Sequence, residues 1–389
     1  MTNMMRSFQL LAFCALAAVP AWAGDARPAT PQSDGSFATL KKSFEDASKA
    51  HSDEFRAAYA AAKKSGDAAV RSFKFGKPGP GPVFSPRFLA FAEKAPKGPD
   101  ALEALKLAIQ TSADEHGKAL PTRLKAIKIL HDHYVTSPDL NKRFLSLLAW
   151  IQEKEARAFL DDVAARNPDR KTQARAVQAL ANGFERRAEL ARALSEDSQY
   201  RARVEEELGA AEVTRRISEE AAFRSEAEKL RGVLRERFGD LVPDLSIGQP
   251  APPIVAESLD GSSAKLADLK GRVVVIDVWT TWCGPCKAMI PHERDMVERL
   301  KNKPFTLVSI SADAKKETLK AFLAKESMPW THWWSEPEGK SMELLNIQHY
   351  PTIYVLDTKG VIRFTEIRGE ELEKAVNSLL KEAEPATTG

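Results

Sequence analysis

The sequence predicts two structural classes in one chain: an all-α domain, followed by an α/β domain whose central mixed sheet is flanked by helices. Three observations carry this. Upstream of Asp240 the chain is rich in Ala, Arg, Glu and Leu at helical spacing, whereas downstream it turns to Pro-punctuated runs of Val, Ile, Phe and Trp. Pro243, Gly248, Pro250, Pro252 and Pro253 deny a continuous helix over residues 241–253, which read as a linker. Beyond it, apolar runs of strand length alternate with segments of helix length. At 389 residues the chain has room for two or more domains.

Residues 1–23 read as a secretory signal. Arg6 supplies a positive start, residues 8–19 an apolar core, and Ala21-Trp22-Ala23 a small-x-small cleavage site before Gly24. The core is about a dozen residues, short of the roughly 20 that a membrane span needs, so a cleaved leader is favoured over an anchor. A lipoprotein using Cys14 is disfavoured by the bulky Phe13 before it. The expected location is periplasmic or otherwise exported, with no stable membrane span. Residues 24–36 are small and polar and read as a disordered leader.

Residues 37–240 form the expected all-α domain. Its first helix runs from Phe37 to Lys64, and the Lys-Pro-Gly-Pro-Gly-Pro run at 77–82 breaks it from the rest. Phe88-Leu89 leading to Pro96, Leu124 leading to Pro138, and Phe159-Leu160 leading to Pro168 suggest a degenerate helix-pair repeat of about 36 residues; an irregular bundle fits equally well. The mixed charges of 172–238, including Glu205, Glu206, Glu207, Arg215 and Arg216, read as a solvated helix face. The accompanying apolar stripe is Leu230, Val233, Leu234 and Phe238. His131 and His133, lacking further ligands nearby, read as ordinary helix residues. This domain is a candidate for binding a protein partner.

The α/β domain, residues 247–384, starts with a hairpin leader turning at Asp260-Gly261. A strand at 272–279, a helix from Cys283, a strand at 305–311 and a helix at 316–327 follow. Strands at 352–357 and 361–366 face each other across Lys359-Gly360, and a last helix spans 370–382.

The chemistry is concentrated in Trp282-Cys283-Gly284-Pro285-Cys286, two thiols one helical turn apart directly after an apolar strand. A Cys at a helix start meets the positive end of the macrodipole and unpaired N–H groups, which stabilise its thiolate. Cys283 is therefore the attacking sulfur, and Cys286 resolves the mixed disulfide. The chain has three Cys, and Cys14 falls in the expected signal, so only this pair remains. A structural disulfide closing so short a loop would remove little chain entropy. Half a zinc site would need two more ligands, with only His292 close in sequence, and c-type haem attachment needs His where Lys287 stands. No metal is expected. The net charge of +3 is mild, and no Lys/Arg cluster is interleaved with aromatics, so nucleic acid is not indicated as a partner.

These residues resemble the thioredoxin fold, and more closely the exported thioredoxin-like proteins of the TlpA/ResA group. The resemblance covers about 247–383 and rests on Trp-Cys-Gly-Pro-Cys-Lys at 282–287, Pro291 in the following helix, Asp277 in the strand before, and Tyr350-Pro351-Thr352. The leader Ile247-Gly248-Gln249-Pro250-Ala251-Pro252, with Leu259-Asp260-Gly261 and the run at 266–271, is similar to the amino-terminal extension of that group and of peroxiredoxin-like branches. The resemblance implies a thiol-disulfide oxidoreductase with no cofactor beyond the Cys283–Cys286 disulfide. It implies protein disulfides as substrates and a membrane or exported thiol reductant as partner. Trp282, Gly284, Pro285, Tyr350 and Pro351 would form the substrate-binding rim, Pro351 being a cis-proline that turns Tyr350 toward the thiols. Asp277, a buried carboxyl of raised pKa, would accept the proton of Cys286; the alternative is a polar strand residue with no catalytic part. Trp279 is expected in the core, Pro291 as a helix kink, and His292 and Glu293 toward solvent. Trp330, Trp333 and Trp334 read equally as core or as an exposed patch.

Two other functions remain open. A thiol peroxidase is suggested by the leader and by Thr280 three residues before Cys283, but its Pro-x-x-x-Thr-x-x-Cys pattern needs Pro where Ile276 stands. A helical interaction scaffold carrying a thioredoxin-like module is the third reading.

Overall fold

The computed structural model describes residues 36–114, 118–337 and 339–383. The expected signal at 1–23, and all of the leader except Ser36, lie outside the described residues. The chain divides into two compact units that meet in sequence between Phe238 and Gly239.

The first unit is helical among the described residues: α1 (Phe37–Lys64), α2 (Asp67–Arg71), α3 (Gly81–Lys94), α4 (Ala101–Gln110), α5 (Pro121–Tyr134), α6 (Lys142–Trp150), α7 (Lys154–Arg166), α8 (Arg170–Glu196), α9 (Ser198–Leu208), α10 (Ala210–Ser218) and α11 (Glu220–Phe238). Local chemistry sets the ends. The Ser36 hydroxyl accepts the Thr39 N–H to cap α1, and the Asp169 carboxylate accepts from the first turn of α8. Pro80, with no amide hydrogen to leave unpaired, precedes α3. Phe88, Leu105, Ile127, Leu130, Phe144 and Phe159 fill one core. Phe88-Leu89 and Phe159-Leu160 are buried there, whereas Leu124, placed between them in the proposed repeat, is exposed.

The second unit contains β1 (Val255–Ser258), β2 (Ser263–Lys265), β3 (Val273–Trp279), α12 (Gly284–Leu300), β4 (Phe305–Ser311), α13 (Lys316–Leu323), β5 (Thr331–Trp334), α14 (Lys340–Leu344), β6 (Thr352–Leu356), β7 (Ile362–Thr365) and α15 (Glu370–Ala383). The strands form one mixed sheet in the order β2-β1-β5-β4-β3-β6-β7. β3 pairs parallel with β4, β4 parallel with β5, and β6 antiparallel with β3. This is the thioredoxin fold, preceded by an all-α region.

β3 is buried along its whole length, and its alternating side chains feed two cores. Val274, Ile276 and Val278 face a layer with Met342, Leu345 and Tyr354. Val273 and Val275 face the other, with Met289, Met296 and Leu300 of α12 and Leu372, Val376 and Leu379 of α15. Two short elements escape sequence reading, α14 and β5. The Trp cluster falls on or beside β5: Trp333 is core, while Trp330 and Trp334 are half-buried.

Candidate active site

β3 ends at Trp279, and the chain turns through Thr280-Thr281-Trp282 into α12. The turn is held from the end of β4. The Asp313 carboxylate accepts the Thr281 backbone N–H at 3.1 Å and its hydroxyl at 2.9 Å, and also the Ser311 hydroxyl at 2.8 Å. Asp313 is a site residue that sequence reasoning missed. Its signal was position, a carboxylate just past the carboxyl end of a central strand, where open α/β sheets build their sites.

Cys283 is the N-cap of α12: its backbone is extended, and its Sγ accepts the Cys286 N–H at 3.2 Å. Pro285 in the first turn needs no amide hydrogen. Cys283 and Cys286 form a disulfide with Cα atoms 5.3 Å apart. Both are buried, at 5% and 4% exposure, whereas Trp282 beside them is 69% exposed. Trp279, Ile290 and the partly buried Tyr350 pack against the pair. Gly284 is exposed, with open space where a side chain would project, and Pro285 is half-buried.

The Tyr350–Pro351 bond is cis, and the Tyr350 ring meets the Trp282 ring edge-on at 5.8 Å between centroids. Trp282, Tyr350 and the two sulfurs thus form one rim. Burial, and next the Asp313 charge, push the Tyr350 phenol up.

Beneath the rim, Asp277 is buried at 4% exposure, paired in register with Ser309 on β4 and Ile353 on β6. Its Oδ2 accepts the Ser309 hydroxyl at 3.4 Å, and Ser309 Oγ in turn accepts the Trp330 indole N–H at 2.7 Å. Oδ1 has no partner. Burial raises the Asp277 carboxyl to about 7, against the opposing Ser309 hydrogen bond and Arg368 charge.

One expectation is corrected. Glu293 does not face solvent: it is 2% exposed, while its neighbour His292 is half-buried and lies 3.6 Å from Glu373. Glu293 stands four residues after Met289 and three before Met296, so helical spacing carries it onto the stripe that packs on the sheet. Pro291, between them, lies within α12.

Fold and site together define a thioredoxin-fold domain with a paired Cys-Gly-Pro-Cys dithiol at the head of a helix. The AhpC/TSA family model matches residues 247–365. Thiol-disulfide oxidoreductase ResA of Oceanobacillus iheyensis is 31% identical over 128 residues, which are 32% of this chain and 62% of that relative, so the chain spans less than two thirds of its length. The thioredoxin-like protein YneN of Bacillus subtilis is 30% identical over 119 residues, 30% of this chain and 68% of that protein. Among solved structures, the thioredoxin domain of a thiol-disulfide oxidoreductase from Bacteroides vulgatus is 28% identical, with a TM-score of 0.34, over 35% of this chain and 99% of its own. The chain belongs to the thioredoxin-like family, and its carboxyl-terminal region is similar to ResA.

Proposed function

We propose that the protein is an exported thiol-disulfide oxidoreductase that reduces or isomerises protein disulfides through Cys283 and Cys286. The observation that carries this reading is the place of Cys283 at the head of α12, its sulfur within hydrogen-bonding distance of the Cys286 amide. In the reduced protein that amide and the helix dipole favour the Cys283 thiolate.

The thiolate attacks a substrate disulfide, forms a mixed disulfide and expels one substrate thiolate, which takes a proton from water. Cys286 then gives its thiol proton to Asp277, attacks Cys283 Sγ and expels the second substrate thiolate. Two electrons pass from the dithiol to the substrate, leaving Cys283 and Cys286 joined. A membrane or exported thiol reductant must restore the dithiol, because an oxidising compartment does not. Trp282, Gly284, Pro285, Tyr350 and Pro351 would receive the substrate chain.

Reduction is favoured over oxidation because Gly284-Pro285 resembles the reducing thioredoxins. Export rests on the signal-like residues 1–23. No described helix is long and apolar enough to cross a membrane. The helical unit would bind a protein partner. A thiol peroxidase is the second reading, favoured by the AhpC/TSA match and by the buried Thr280 hydroxyl, which has no hydrogen-bond partner.

Insulin disulfide reduction with dithiothreitol is the test. Turnover lost in Cys283→Ser supports the reductase, peroxide consumption without insulin reduction supports the peroxidase, and neither activity leaves the scaffold.

A further inference from the structure

Asp277, two residues before Trp279 on β3, does not stand alone in its layer. Strand alternation places it on the face of β3 that carries Val273 and Val275, and those valines pack against Met289 and Met296 of α12. Glu293 lies between these methionines on the same helical stripe, so two carboxyl groups occupy one buried layer between sheet and helix. Asp277 Oδ1 and Glu293 Oε1 both lack a hydrogen-bond partner. The other Asp277 oxygen is held: Trp330 donates to Ser309, which directs the Ser309 hydroxyl proton toward Oδ2.

The surroundings supply little positive charge to offset two carboxylates. Glu366 and Arg368, just after β7, act on Asp277 with opposite sign, and Arg368 also donates to Glu366 at 3.3 Å and to the Pro351 carbonyl at 3.0 Å. On the α12 side, Arg299 is engaged by Glu373 of α15 at 2.7 Å, and His292 lies 3.6 Å from the same carboxylate. Two ionised carboxylates in one buried layer repel each other in a medium that screens weakly, so such a pair loses its protons in two separate steps. Burial, and then the charge of Asp277, hold Glu293 well above the usual carboxylate range.

We propose that Glu293 is the positioning partner of Asp277: the pair keeps one proton on Glu293 while Asp277 takes up the Cys286 thiol proton and returns it to solvent. In the resolving step the Cys286 S–H bond breaks and an O–H bond forms at Asp277. The Cys286 thiolate bonds to Cys283 Sγ and the substrate thiolate departs, while Glu293 keeps its proton. Glu293 touches neither sulfur in this scheme; it acts by staying uncharged while Asp277 is ionised, so that the buried layer holds one negative charge rather than two. The proposal rests on the reading of Asp277 as the acceptor of that proton.

The test is a carboxyl-carbon NMR titration of the oxidised full chain, compared with Glu293→Gln and Asp277→Asn. In the wild type the Asp277 signal should show two inflections more than about one pH unit apart, the mark of a coupled pair. Glu293→Gln should collapse them to one, and Asp277→Asn should lower the Glu293 midpoint by a comparable amount, since coupling is reciprocal. Should Glu293→Gln fail to fold, Asp277→Asn provides the same measurement from the other side. A single Asp277 midpoint, unchanged by Glu293→Gln, overturns the pair. In rapid quench, Glu293→Gln, neutral like the protonated carboxyl, should keep the lower pH midpoint of resolution and lose the second inflection at higher pH. Coupled titrations together with wild-type resolution in Asp277→Asn would instead overturn the acceptor reading beneath it.

Discussion

The Cys286 backbone amide donates to Cys283 Sγ at 3.2 Å, while Cys286 itself stands three residues further along, inside the first turn of α12. The two cysteines share a disulfide and the packing of Trp279 and Ile290, but not a place on the helix. Cys283 caps the N-terminus of α12 next to the exposed Trp282, whereas Cys286 lies inside its first turn. This asymmetry underlies the expected order of events, and each prediction below perturbs one part of it.

Asp277→Asn keeps the size of the side chain but removes the proton acceptor. Resolution of the mixed disulfide should slow by about 10²- to 10⁴-fold near neutral pH, while attack by Cys283 is affected less. Rapid quench would show accumulated mixed disulfide. Wild-type release from pH 6 to 9 would reduce Asp277 to a structural part.

The same carboxyl should leave a mark on stability. Its folded-state pKa is raised by burial from 3.8 to about 7, so between these values the folded chain holds a proton that the unfolded chain has lost. The Asp277 contribution to stability therefore falls as pH rises through that window and is constant above it, while the raised carboxyl of Glu293 extends the decline of the whole protein to higher pH. Asp277→Asn should flatten the slope and be more stable than the wild type at pH 8, by on the order of 2–4 kcal/mol at most. Urea midpoints of the oxidised proteins at pH 4, 6 and 8 would reveal it. A wild-type midpoint that rises with pH would contradict the assignment.

Asp313→Ala should loosen the entry to α12. It removes the acceptor of the Thr281 amide and hydroxyl and of the Ser311 hydroxyl, and leaving such donors without a partner costs about 1–3 kcal/mol. Thermal unfolding should shift down and insulin reduction should weaken. An unchanged unfolding temperature and rate would show that the turn holds its shape without Asp313.

Much of this was legible in the sequence where local and tertiary signals agree. The strand at Val273–Trp279, the helix headed by Cys283 and the strand at Phe305–Ser311 are bounded by apolar runs and a Pro in the first helical turn. β5 was hidden because its four residues, Thr331–Trp334, are short and mostly aromatic, and only pairing with β4 and β1 makes them a strand. Glu293 was misjudged because a carboxylate next to a His reads as surface, although the Met289–Met296 spacing already placed it on the buried stripe. Asp313 and Ser309 carry no motif. Their parts depend on parallel pairing with β3, a contact between strands separated by a whole helix.

The most direct measurement is mass spectrometry of Cys283→Ser and Cys286→Ser after incubation of the reduced proteins with a disulfide-containing protein. Cys286→Ser should accumulate a mixed disulfide through Cys283, because attack proceeds and the resolving thiol is gone; Cys283→Ser should remain unmodified. Adducts through Cys286, with Cys283 unreactive, would contradict the account.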